Sequence, residues 1–63
     1  MDKLQPYIKA GYTLQVRWDV DAYATSLVNS ENVIVATGWA VYAEDALLWL
    51  HLDAVQRIGV MSE

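Results

Sequence analysis

Cysteine is absent from the chain, which excludes disulfides and thiolate zinc sites as supports for the fold. There is one histidine, His51, with no second ligand of the usual kind near it, so no structural metal and no cofactor are expected. Basic residues are few: Lys3, Lys9, Arg17 and Arg57 are scattered against eight aspartates and glutamates, and the formal net charge is −4. A phosphate-binding surface needs clustered lysine and arginine, so a nucleic-acid partner is not expected. No apolar run approaches the roughly 18 residues of a membrane span. Met1-Asp2-Lys3 opens no apolar stretch of signal-peptide length, so a cytoplasmic protein with no membrane partner is expected.

What the chain has instead is apolar surface. Hydrophobic residues make up 56% of its 63 residues and charged residues only 19%. A chain of this length is at most a single domain (1–63), and such domains bury only about 60% of their unfolded surface. Without disulfides or metal, self-association or a protein partner is the expected supplement to the core.

Residues 1–10 form an N-terminal arm, either a short helix or an irregular segment that packs Tyr7 and Ile8, bounded by Pro6 and Gly11. Tyr12–Val20 alternates Tyr12, Leu14, Val16, Trp18 and Val20 with Thr13, Gln15, Arg17 and Asp19, the pattern of a half-buried strand. That pattern places Trp18 in the core. Asp19-Val20-Asp21-Ala22 reads as a reversal, with the aspartates bonding their own backbone. Tyr23–Val28 reads as a shorter second strand, followed by the turn cluster Asn29-Ser30-Glu31-Asn32.

Asn32–Tyr42 reads as the third strand, completing three strands over 12–42. Val33, Val35, Thr37, Trp39 and Val41 share one face; Ile34, Ala36, Gly38, Ala40 and Tyr42 share the other. Two apolar faces suit a central strand or one covered by a partner. Gly38 within it implies a bulge or a close backbone approach. Ala43–Ile58 is alanine- and leucine-rich and predicts a helix, stopped by Gly59. Its core stripe is expected at Ala43, Leu47, Leu50, Ala54 and Ile58, flanked by Leu48 and Val55. Asp45, Trp49, Asp53 and Gln56 lie opposite, and Asp53 and Arg57 are spaced for an i,i+4 pair. The fold expected is α+β: a three-stranded antiparallel sheet packed by one C-terminal helix.

No catalytic constellation stands out, and a non-enzymatic protein is expected. A histidine base needs an acid or nucleophile placed with it, and Asp53 points away from His51. His51 therefore reads as a structural or interface residue, or as a pH-sensitive contact. Asp19 with Asp21, and Glu44 with Asp45, have local explanations in a turn and a helix dipole. Trp39 fits either core or interface. Trp49 is a large aromatic ringed by Asp45, Asp53 and Gln56, the composition of a binding hot spot. With Leu52 and Leu48 beside it, the expected interface is Trp49, Leu52, Leu48, Asp45 and Trp39.

Two families share this order of elements. With a helical arm, the chain resembles a double-stranded RNA-binding domain, but the basic cluster such domains place at the start of the last helix is replaced by Ala43-Glu44-Asp45-Ala46. RNA binding is excluded on that ground. The chain is also similar to the small β-β-β-α domain of HicB-type antitoxins over about residues 12–58. Tyr12-Thr13-Leu14-Gln15-Val16 is similar to that family's first strand, and Asp21-Ala22-Tyr23 to its turn into the second. Ala36-Thr37-Gly38, then Glu44-Asp45-Ala46-Leu47, looks like its glycine and helix start. The glycine-to-helix spacing is longer here, and the family's proline-glycine loop is missing. The resemblance implies a non-catalytic domain that dimerises and inhibits a partner. Small inhibitors of this class include antitoxins and the anti-defence proteins of mobile elements that bind nuclease complexes (anti-CRISPR-like). The alternative class is a nucleic-acid-binding module that uses the sheet face.

Overall fold

The computed structural model describes Asp2 to Met61; Met1 at the start of the expected arm and residues 62–63 at the end of the expected domain lie outside it. The arm is helical. A 3₁₀ turn over Asp2–Leu4 runs into α1 (Gln5–Lys9), with Pro6 in the first turn, where its missing N–H costs no helical bond. Then come β1 (Thr13–Asp19), β2 (Ala22–Val28), β3 (Ile34–Ala40) and α2 (Ala43–Arg57). The strands form an antiparallel meander in the order β1-β2-β3. The architecture is the α+β arrangement expected.

The central strand is β2, not β3. Of the two arrangements that suit the apolar faces of β3, the central position is not the one present: one face carries the helix, and the other is bare. Leu27 of β2, Ala36 of β3, Leu50 and Ala54 of α2, and Leu4 and Tyr7 of the N-terminal helices form the core. Burying side chains of leucine size contributes roughly 1.5–3 kcal/mol each. The buried stripe of α2 is Ala46, Leu50 and Ala54, with Leu47 and Ile58 as partly buried flanks. The helix is thus rolled from the expected stripe toward Ala46, and Ala43 lies at the margin.

Gly38 explains that roll. Helix α2 lies over β3 and the adjoining part of β2 and barely reaches β1. At Gly38 the two backbones meet: an added Cβ would collide with the Ala46 carbonyl oxygen and the Leu50 amide nitrogen, and would lie 2.8 Å from Thr25 Oγ1. The Thr25 hydroxyl, buried in β2, faces the carbonyl oxygens of Gly38 at 3.1 Å and Ala46 at 3.0 Å, so one proton is offered to two acceptors. The expected close approach is therefore present at Gly38. The sheet irregularity lies elsewhere, where the register slips between Leu27 and Val28 and pairs Val28 with Ile34. Such a slip re-aims a side chain; Ile34 leaves the face of Ala36 and joins that of Trp39.

With the helix drawn to β3, β1 loses its cover. Trp18, expected in the core, is 57% exposed and Val16 beside it is also exposed. The alternation along β1 is real, but only Leu14 at its start packs against the core.

The turns follow local chemistry. Asn29 Oδ1 accepts from the amides of Glu31 at 2.9 Å and Val33 at 3.0 Å, and Asn32 takes φ 66°, which asparagine tolerates. The first hairpin differs from expectation. No aspartate side chain closes it; the Asp21 amide bonds the Asp19 carbonyl at 2.6 Å around Val20 at φ 59°. This is a γ-turn of the strained kind, with a β-branched residue at its tip. At the C-terminal end, the amides of Ile58 and Gly59 bond the Ala54 carbonyl at 2.7 and 3.1 Å, and Gly59 at φ 111° stops the helix as expected.

Candidate interaction surface

All three tryptophans are more than half exposed: Trp18 57%, Trp39 60% and Trp49 56%. A monomeric domain that leaves its largest apolar side chains in water presents surface for contact. These residues form two separate patches, on opposite sides of the sheet.

The first patch is an open cleft of about 710 Å³ along the outer edge of β3. One wall is the solvent side of α2, with Trp49, Leu52 and Gln56; the other is the uncovered sheet face, with Trp39, Ile34 and Arg17. Helical spacing brings Trp49 and Leu52 together three residues apart. Strand alternation puts Trp39 on the face opposite Gly38, away from the helix. The cleft thus unites three of the expected interface residues, Trp39, Trp49 and Leu52. The other two are not among its lining residues. Leu48 is exposed farther round α2, and Asp45 borders a shallower hollow with Glu44, Tyr23 and Tyr42. Ile34 and Arg17 were missed: Ile34 joins only through the register slip, and Arg17 through its place across β2 from Trp39, opposite Ala24.

Asp53 forms the floor of this cleft. Its Oδ2 accepts the Thr37 backbone amide at 2.9 Å, and its two oxygens accept from Arg57 Nε at 2.9 and 3.0 Å. The i,i+4 pair expected from the spacing is therefore present. The Thr37 amide bond first, and Arg57 second, hold the Asp53 carboxyl below its ordinary value.

The second patch is Trp18 and Val16 on the helix side of β1, where Trp18 meets Tyr23 edge-on with ring centroids 4.9 Å apart. On α2, His51 faces Tyr7 edge-on with centroids 6.4 Å apart. Its Nδ1 is buried without a hydrogen-bond partner. Burial pushes the Tyr7 phenol above its ordinary value, and its hydroxyl donates to the Gly59 carbonyl at 2.7 Å. Neither residue is placed with a carboxylate or nucleophile that would make it a proton-transfer group.

Among the described residues, no cluster of three or more His, Asp or Glu side chains could hold a metal, and no helix is long and apolar enough to cross a membrane. Compared with family models, curated proteins and solved structures, the chain matches none.

Proposed function

We propose that this protein is a non-enzymatic protein–protein interaction module of the small-inhibitor kind, and that it takes its partner in the β3 cleft. The observation that carries the reading is the convergence of Trp39 and Trp49 from two different elements on one open trough. Hot spots are built from tryptophan set among polar neighbours. The lining of the cleft describes the partner. With Arg17 on one wall and Asp53 already paired to Arg57 on the floor, the trough suits a protein surface that is apolar at its centre and polar at its rim. The resemblance to HicB-type antitoxins supports the same class, and the anti-defence reading shares its requirement for a protein target.

The test is affinity capture from the native host with wild type, Trp49→Ala and Trp39→Ala, each first shown to be folded. A protein held by wild type and lost from both variants supports the reading. Equal capture by all three overturns it. A parallel salt titration against single-stranded DNA and RNA is expected to show no binding.

A further inference from the structure

The two edges of the sheet are finished differently, and this assigns a second contact. Backbone groups alternate in direction along a strand, so the Thr37–Asp53 bond fixes the direction of every strand. The Thr37 amide points outward, to Asp53. Gly38 therefore faces β2 and exchanges bonds with its partner Thr25, which leaves Ala24 facing β1 and paired with Arg17. With Arg17 pointing inward, the outward backbone groups of β1 belong to Leu14, Val16 and Trp18. Among the described residues, no backbone bond outside the sheet ladder ends on any of these three. The β1 edge is seven residues long and unbulged; it holds no proline or lysine, and no other element is bonded along it. Bulges, proline, lysine and a covering element are devices by which proteins blunt an edge; the charges this strand does carry are Arg17 and Asp19, on its bare face.

We propose that a second copy of this chain adds to that edge, β1 against β1, antiparallel about a two-fold axis at Val16. Self-complementarity selects the occupant. In this register Val16 meets Val16 of the second copy and Trp18 meets Leu14, apolar against apolar on the helix side. Arg17 meets Gln15 and Asp19 meets Thr13, polar against polar on the bare side, with no like charges opposed. All seven residues pair, and Val16 and Trp18 gain the cover that α2 does not give them. A two-fold at Arg17 would set two guanidinium groups directly against each other. The product is one six-stranded sheet with both β3 edges outermost, so the two clefts stay open. Of the cleft's lining this contact takes Gln15 and Arg17 but none of Ile34, Trp39, Trp49 or Leu52, so each reading can fail alone.

The absence of cysteine makes the test clean. Directly opposed bonded residues have Cα atoms about 5.5 Å apart, within disulfide reach. Val16→Cys is expected to oxidise to a covalent dimer under mild conditions. Thr13→Cys, about 20 Å from its own copy at 3.4 Å per residue, is expected to remain largely uncrosslinked. In sedimentation, wild type is expected at twice the mass of one chain. Val16→Lys, with two ammonium groups at the axis, is expected to weaken the association at least tenfold while circular dichroism is unchanged. Because each copy carries −4, added salt is expected to strengthen the wild-type dimer. A wild type that stays monomeric to near-millimolar concentration overturns the proposal. So does equal crosslinking of the two cysteine variants.

Discussion

Along β3 the sheet ends in a carboxylate; along β1 it ends in bare backbone. At the first edge a glycine lets α2 come down until the helix and strand backbones touch, Thr25 bonds across the seam, and Asp53 takes up an amide that would otherwise face water. At the second edge α2 barely reaches the strand, and a tryptophan stands in solvent. The same helix makes both conditions: what it gives to β3 it withholds from β1. Here one helix does not cover all three strands, and the position of a single hydrogen-for-methyl choice decides which strand is left out.

The sharpest way to break this contrast is Gly38→Ala. The added methyl meets backbone atoms of α2, which cannot swing aside as a side-chain tip can. Overpacking of this kind is expected to cost about 3 kcal/mol, read as a lower midpoint in chemical denaturation. If the variant still folds, the lifted helix should quench or shift the fluorescence of Trp49 more than that of Trp18. A stability within error of wild type would mean that the two backbones do not meet.

Thr25→Val acts on the same seam without adding volume. It removes the only side-chain hydroxyl shared by β2, β3 and α2 among the described bonds. A loss of about 1–2 kcal/mol is expected, with no change in the oligomeric state set at β1.

The smallest effect is at Asp53. Its carboxyl titrates below the ordinary 3.8 in the folded protein, so folding favours the ionised form. Its contribution is fully present above pH 3.8 and is lost as pH falls through the lower folded value. Asp53→Asn is expected to flatten the stability profile in that acid window and to cost less than about 1 kcal/mol at pH 7, since the Arg57 pair is exposed. Denaturation midpoints measured between pH 2 and 7 for both proteins check it. An unchanged acid slope would remove Asp53 as the cause.

The sequence carried the fold in its periodicities. Alternation marked β1, alanine and leucine marked α2, and Asn29 to Asn32 marked the second turn; each is a local rule that a local pattern can express. Strand order was not local. Two apolar faces on β3 suit a central strand or one covered by a partner, and the strand order removes only the first: one face meets the helix and the other is open. The fate of Trp18 was also hidden, because alternation says which side of a strand a residue takes and not whether a helix lies above it. A readable signal existed in the column of small residues Ala36, Gly38 and Ala40, which marks the strand a helix can approach most closely. On the candidate surface, Trp49 and Leu52 followed from helical spacing. Ile34 depended on a register slip, which no pattern in the strand itself announces.

The hydrogen bond from Tyr7 to Gly59 joins positions 52 apart in the chain. Contacts of such separation pay the largest loop-closure entropy and form late in folding. The first helix therefore has no finished seat until the last has docked, and the meander must assemble without it. Pulled from its two ends, the molecule would carry the load on this clasp before any strand pair felt it.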